Sequence, residues 1–137
     1  MNITWFFLIV FGMIFCHIVD DYYLQGVLAK MKQRKWWKEQ PNYSVKYADD
    51  YIAALFAHAF SWSVMIHVPW FILFYLTSYS IPWIIVPTIM INFTIHAIVD
   101  NAKANIYSIN LITDQLIHVV QIVLTAGWIL YTLGGIV

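Results

Sequence analysis

The distribution of charged residues constrains the fold of this chain more than any other feature. No Asp, Glu, Lys or Arg occurs in residues 1–19, 51–99 or 115–137. A helix needs about 20 apolar residues to cross the hydrocarbon core of a membrane, so these stretches have room for one, two and one spans. They are continuously apolar and lack the alternation of a membrane β-barrel. The sequence therefore predicts an all-α protein, an integral membrane bundle of four transmembrane helices.

The composition excludes several other classes of protein. Apolar residues make up 62% of the chain and charged residues only 10%, whereas soluble domains are about half apolar and about a quarter charged. The same apolar excess excludes a disordered chain, and seven basic residues balanced by seven acidic ones exclude a basic nucleic-acid-binding protein. The single Cys16 cannot form an internal disulfide. We therefore expect the lipid bilayer, and no nucleic acid, as the main partner.

The long middle stretch divides at a polar segment, residues 77–82, which ends in Pro82. The predicted spans are 3–21, 52–76, 82–100 and 111–134, within a single domain, residues 1–137. Pro69 and Pro87 fall inside spans two and three, where proline bends helices. The first span has no basic start and no small-residue cleavage site, so we expect it to be retained in the mature protein.

The basic residues predict the orientation in the membrane. Six of the seven lie in the first loop, about residues 22–50, and the seventh is Lys103 between spans three and four. With four spans, both loops face the same compartment, which the positive-inside rule identifies as the cytoplasm. We therefore expect a multi-pass protein of a bacterial-type inner membrane, with both termini outside and the basic loop cytoplasmic.

The first loop carries cations around paired tryptophans, from Lys30 to Lys38. One interpretation is an interfacial anchor, with the tryptophans at the headgroups and the lysines extending outward. The other is attraction of anionic lipid heads, which is worth about 1 kcal/mol per cation. The two interpretations are compatible.

Small residues on span two leave open that the chain forms a homodimer through this helix. They are Ala53, Ala54 and Ala57.

Ionisable side chains occur inside the predicted spans, where they are costly and usually functional. Six of them form pairs spaced four residues apart, which puts both members on one helix face. The pairs are His17 with Asp21, His96 with Asp100, and Asp114 with His118. Because alternate spans run in opposite directions, each Asp lies nearer the cytoplasm and each His about 6 Å deeper. His58 falls at the same depth, so the sequence predicts one layer of four imidazoles beside a layer of carboxylates.

Imidazole nitrogens and carboxylate oxygens are ligands of zinc, manganese and non-haem iron, and helical bundles build metal sites from such pairs. The predicted ligands of a divalent ion, with zinc preferred, are His17, Asp21, His58, His96, Asp100, Asp114 and His118. They suffice for two ions. The alternative is that the pairs are interhelical hydrogen bonds, but the matched depth favours a joint site. His67 lies on the opposite side of span two and is expected to be a packing residue.

Together these motifs resemble those of a family of small multi-pass bacterial and phage membrane proteins of undetermined function. The motifs, in chain order, are His17-x-x-Asp20-Asp21-Tyr22-Tyr23-Leu24-Gln25, a Lys-rich loop, His58, His96-x-x-x-Asp100-x-x-Lys103 and Asp114-Gln115-x-x-His118. The His-x-x-x-Asp element is also similar to that of membrane-bound metal-dependent hydrolases. The resemblance implies no particular substrate, and it implies metal ligation at His17, Asp21, His58, His96, Asp100, Asp114 and His118.

These observations lead to a functional hypothesis. The chain is expected to be a membrane-embedded metal-dependent hydrolase that acts at the cytoplasmic leaflet on a phosphoester or lipid-linked substrate. Asp20 is predicted to be a general base, and Lys103 to contact a phosphate or carboxylate of the substrate. One alternative is a transporter or channel in which the His/Asp layer carries protons or a divalent ion. Another is a non-catalytic membrane partner protein or a haem-binding bundle.

Overall fold

The computed structural model describes residues 3–134. Four of its helical segments are long and apolar enough to cross a membrane; they are Ile3–Leu24, Val45–Leu76, Ile85–Ile106 and Leu111–Thr132. No strand occurs among these described residues. The prediction of an all-α chain with four membrane-length helices is confirmed. Segments one, two and three each extend further toward the loops than predicted, because short 3₁₀ and π-helical turns continue their helices.

The individual helices are numbered in chain order. They are α1 (Ile3–Ile18), α2 (Leu28–Met31), α3 (Arg34–Lys38), α4 (Asp50–Met65), α5 (Val68–Leu76), α6 (Ile85–Asn101) and α7 (Leu111–Thr132). A π-helical turn extends α1 over Val19–Leu24, and another extends α6 over Ala102–Ile106. Such turns accommodate an extra residue and are frequent at functional sites. Both lie at the end of the bundle where the first loop emerges, which we call the loop end.

The four segments close into one bundle. Helix α4 packs along α6, α7 packs on α1 and α6, and α1 also contacts α4 and α5. The apolar core fills the half of the bundle away from the loop end; its fully buried members include Met13, Trp62, Ile66, Trp70 and Ile129. Large apolar side chains such as Phe7 and Phe11 point outward and are mostly exposed. An outer surface of this kind is suited to a lipid environment.

Span two is interrupted between α4 and α5. Pro69 has no N–H to donate, and the backbone N–H of His67 bonds to the carbonyl three residues before it. The His67 side chain compensates, because its Nδ1 donates to the Ser63 carbonyl at 2.7 Å, while its Nε2 lies 3.1 Å from the Thr88 hydroxyl. The helix therefore breaks near Pro69, as expected. Pro87, by contrast, lies in the first turn of α6, where a missing N–H removes no helical bond.

The first loop folds back onto the bundle. Helix α2 packs against α4, and α3 contacts α4 and the second π turn. The backbone N–H of Arg34 donates to the Asn105 side chain at 2.7 Å, and the Asn105 amide donates to the Lys32 carbonyl at 3.1 Å. The Arg34 guanidinium also lies 4.8 Å from the ring centre of Tyr51. These contacts anchor the loop across the loop end and hold the end of α2 close to the bundle interior.

Candidate metal centre

The four histidines predicted to share one depth lie together inside the bundle. Ring centroids are 4.2 Å apart for His96 and His118, and 5.2 Å apart for His58 and His96. The centroid of His17 is 5.7 Å from that of His118. Three of the rings are fully buried, and His17 is 2% exposed. The four imidazoles therefore form one buried layer, as the spacing of the motifs predicts.

Trp62 of α4 separates this layer from the apolar core. Its indole stacks on His96 with centroids 4.1 Å apart, and its Nε1 donates to Nδ1 of His17 at 2.7 Å. Because Nδ1 of a neutral His17 accepts this bond, its Nε2 carries the hydrogen and donates to Gln115 Oε1 at 3.1 Å. Both ring nitrogens of His17 are thus engaged. Among the predicted ligands, His17 is placed to orient its neighbours rather than to bind an ion.

Asp100 lies at the centre of the polar cluster and is 1% exposed. Its Oδ2 is 2.8 Å from His58 Nε2 and 3.4 Å from His96 Nε2. Its other oxygen, Oδ1, is 3.7 Å from His118 Nε2, which in turn lies 3.5 Å from Asp114 Oδ1. One carboxylate therefore faces three of the four imidazoles and divides the cluster into two sides.

Lys32 enters the cluster from the end of α2. Its Nζ is 2.5 Å from Asp100 Oδ2 and 2.7 Å from His58 Nε2, and the residue is only 7% exposed. Sequence reasoning grouped Lys32 with the headgroup-facing cations between Lys30 and Lys38. For Lys32 that interpretation is wrong, because the anchored loop turns its side chain inward against a buried carboxylate. The motif pattern gave no signal for this contact, since Lys32 belongs to no span.

Hydrogen-bond partners on one side of the cluster engage both ring nitrogens of His58. The Gln25 amide donates to the Asp20 carboxylate and to the His58 carbonyl, so its Oε1 faces His58 Nδ1. Nδ1 thus faces an acceptor, while Nε2 lies 2.7 Å from the Lys32 ammonium and 2.8 Å from Asp100 Oδ2. The other oxygen of Asp20 accepts from Ser61 at 2.9 Å. Asp20, the predicted general base, thus holds Gln25 in place. Gln25 lies between Asp20 and the imidazole of His58.

The opposite side of the cluster lacks such partners. Five side-chain atoms there have no hydrogen-bond partner within residues 3–134; they are His96 Nδ1, Asp100 Oδ1, Asp114 Oδ1, and Nδ1 and Nε2 of His118. The residues that carry them are at most 1% exposed. Leaving buried polar atoms unpaired is costly. A bound cation among these atoms would remove the cost for the carboxylate oxygens and for one nitrogen of His118.

Two groups of side chains have the geometry to hold a metal ion. One is Asp21, His58 and His96, and the other is His96, Asp100 and His118; within each group the ligand atoms lie within 4.8 Å of one another. Both ring nitrogens of His58 already have hydrogen-bond partners. Asp100 Oδ1 and the two ring nitrogens of His118 have none within the described residues. The residues therefore fit a metal ion, and the second group, with Asp114 beside it, fits it better.

The charges of the cluster lead to the same conclusion. Its carboxylates are Asp20, Asp21, Asp100 and Asp114, and its ammonium groups are Lys32 and Lys103. Lys103 Nζ, on the second π turn, donates to Asp114 Oδ2 at 2.6 Å, and that oxygen also accepts from Gln115 at 3.0 Å. With neutral imidazoles, four carboxylates against two ammonium groups leave two negative charges without compensation. A single divalent cation would balance them, as would protonation of two of the imidazoles.

Comparison with family models, with curated proteins and with solved structures finds no match to this chain. The function is therefore argued from the geometry of this cluster and from its place at the loop end of four membrane-length helices.

Proposed function

We propose that the chain is a membrane-embedded metal-dependent hydrolase with one divalent ion, preferably zinc, held by His96, Asp100 and His118 with Asp114. The observation that carries the proposal is the convergence of partnerless ligand atoms, Asp100 Oδ1, Asp114 Oδ1 and His118 Nε2, within a buried and negatively charged cluster. The donors are nitrogen and oxygen without sulfur, a set that suits zinc and also manganese or iron.

We further propose that the loop end faces the cytoplasm of a bacterial-type inner membrane. The support is the charge distribution: five of the seven basic residues lie in the loop between the first two segments, and the other two, Lys46 and Lys103, lie in the parts of segments two and three nearest the loop end. The cluster then lies below the headgroups of the cytoplasmic leaflet. A phosphoester or lipid-linked substrate would reach it from that side.

The roles of the protein groups follow from their contacts. When bound, such an ion supplies an activated water and polarises a phosphoryl or acyl oxygen. Lys32 and Lys103 hold the carboxylates of Asp100 and Asp114 in position. Trp62 covers the opposite side of the imidazole layer and excludes water from the apolar core.

We assign the general base to Asp21 rather than to Asp20. The Asp21 side chain is 10% exposed, and it lines a cavity that opens at the loop end. Its Oδ1 lies 3.2 Å from His58 Nε2, and its Oδ2 lies 3.8 Å from His17 Nδ1. Both oxygens of Asp20 are instead taken up by Ser61 and Gln25. A carboxylate at the cavity wall can accept a proton from entering water.

The test is hydrolysis of phosphate monoesters, phosphate diesters and phospholipids by the purified protein in detergent. We expect activity that chelation abolishes and zinc restores. Asp21→Asn is expected to lower kcat by about 10²-fold or more while the metal content stays unchanged, which separates the enzyme from a contaminating hydrolase. If Asp21→Asn keeps the full rate while Asp20→Asn loses it, the base assignment is wrong. If no substrate class is hydrolysed with metal bound, the hydrolase proposal fails.

A second candidate function, proton or divalent-ion transport, has one observation in its favour. Buried polar side chains continue from the imidazole layer toward the far end of the bundle. The Gln121 amide donates to the Asn92 carbonyl at 2.9 Å, and the Asn92 amide donates to Thr125 at 2.8 Å. Beyond them, Thr88 contacts His67 at 3.1 Å. A transporter would give proton or ion flux in liposomes that Asn92→Leu removes, whereas the hydrolase proposal predicts no flux with either protein.

A further inference from the structure

A cavity of about 310 Å³ opens at the loop end, directly beside the polar cluster. We call it the mouth cavity. The polar side chains that line it include Asp21, Lys32, Gln33, Lys103, Tyr107 and Gln115. It lies between the two π turns, α2 and the start of α7. The mouth cavity is therefore the space through which a ligand would approach the candidate metal centre.

Two ammonium groups line this space and have donor hydrogens that the contacts of the described residues do not use. An ammonium has three donor hydrogens. Among the contacts of the described residues, Lys32 uses two, toward Asp100 and His58, and Lys103 uses one, toward Asp114. One donor on Lys32 and two on Lys103 remain for a ligand. Because both side chains are tethered by buried carboxylates, these donors are held in place before any ligand arrives.

The donor hydrogens at the mouth cavity favour a ligand with several acceptor oxygens. The charge of Lys32 is balanced by Asp100 and that of Lys103 by Asp114, and the lining adds the carboxylate of Asp21, so the selectivity comes from hydrogen bonding and not from net charge. A neutral acyl ester would gain little from a pair of fixed ammonium groups. A phosphate group gains charge-assisted hydrogen bonds from both.

We propose that the mouth cavity is a binding site for the phosphate group of a phosphoester, with Lys32 and Lys103 as its two anchors. The inference rests on the proposed hydrolase function, and it narrows the substrate class from a phosphoester or lipid-linked compound to a phosphoester. The lining residues Tyr107 and Leu111 are largely exposed on the outside of the bundle. The cavity is thus open both to a lipid headgroup and to a soluble phosphate compound.

The inference can be tested on metal-free protein, which separates it from the metal proposal. Binding of inorganic phosphate to the chelator-treated protein is measured by isothermal titration calorimetry in detergent. We expect Lys103→Met and Lys32→Met each to weaken binding by about tenfold or more. Lys103→Arg keeps the charge and is expected to retain most of the affinity. The control is Lys35→Met, in the same loop, whose side chain is 70% exposed.

Circular dichroism verifies that each variant keeps its helical content. Weaker phosphate binding by a variant can then be attributed to the site and not to unfolding. Equal phosphate affinity in folded wild type, Lys103→Met and Lys32→Met overturns the inference, and so does the absence of phosphate binding to the wild type. If phosphate binds through the two lysines but no metal is found, the inference stands and the hydrolase proposal fails. If the protein binds metal but does not bind phosphate, the inference fails and the hydrolase proposal stands.

The same assay distinguishes the source of the phosphate. Short-chain phosphatidic acid and glycerol 3-phosphate are compared, since both present a phosphate monoester. Tighter binding of the lipid, still sensitive to Lys103→Met, identifies a lipid headgroup as the ligand. Equal affinities, with the same sensitivity, identify a soluble phosphoester. Binding of either compound that is insensitive to both lysine variants contradicts the site.

Discussion

Asp100→Asn is expected to destabilise the bundle by about 3–5 kcal/mol and to abolish metal binding. The free-energy cost arises because the substitution leaves the buried Lys32 ammonium without its carboxylate partner, and breaking a buried ion pair by removing one member is costly. It also removes the central ligand of the cluster, whose two oxygens face different imidazoles. The measurements are the unfolding free energy in mixed detergent and the metal content of the purified variant.

A matched double variant separates the two effects. Lys32→Met combined with Asp100→Asn removes both charges, so the double variant is expected to be more stable than Asp100→Asn alone. It should still lack metal, because Asp100 remains replaced. If Asp100→Asn is as stable as the wild type, or if Lys32→Met does not improve it, the ion pair between Lys32 and Asp100 does not hold in the folded protein.

His118→Ala is expected to remove the stabilisation that metal gives to the wild type. A ligand present at about 1,000 times its dissociation constant stabilises a folded protein by about 4 kcal/mol. Zinc should therefore raise the unfolding temperature of the chelated wild type by several degrees. It should not do so for His118→Ala, because two of the partnerless atoms of the cluster belong to this ring. The measurement is thermal unfolding in detergent, with and without zinc.

Two other histidine variants make this experiment specific. His58→Ala is expected to be less stable than the wild type but still to respond to zinc, since His58 Nε2 is occupied by Lys32. His67→Leu loses only its contacts with Ser63 and Thr88 and should respond fully. If His58→Ala loses the zinc response and His118→Ala keeps it, the ion belongs to the group of Asp21, His58 and His96 instead.

The number of spans and the imidazole layer were predictable from the sequence because they depend on simple periodicities. Charge-free runs of membrane length indicate the helices. Spacings of four residues put His96 above Asp100 and Asp114 above His118 on single faces, and the antiparallel order of the spans brings these faces to one depth. No side-chain detail is needed for either inference.

Other parts of the site could not be predicted because they depend on local departures from an α-helix. The π turn at Val19–Leu24 changes the rotation of the side chains that follow, which turns Asp20 toward Ser61 and Gln25 instead of the histidines. Read at α-helical spacing, the motif makes Asp21 a metal ligand paired with His17 and leaves Asp20 as the general base. Their different environments follow only from the folded backbone.

The inward position of Lys32 was also beyond sequence reasoning. A lysine in a basic loop next to tryptophans is typical of a membrane interface. Its burial depends on contacts of residues far apart in the sequence, above all those of Arg34 and Asn105. The same holds for Trp62, whose stacking on His96 follows from the packing of α4 on α6.

The most direct test of the account is elemental analysis, by inductively coupled plasma mass spectrometry, of the detergent-purified wild type beside His118→Ala. The uncompensated charge of the cluster and its single group of partnerless ligand atoms predict about one divalent ion per chain, preferably zinc, and none in the variant. No metal in a folded wild type, or the same metal content in both proteins, would contradict the central claim that this buried His/Asp cluster is a metal centre.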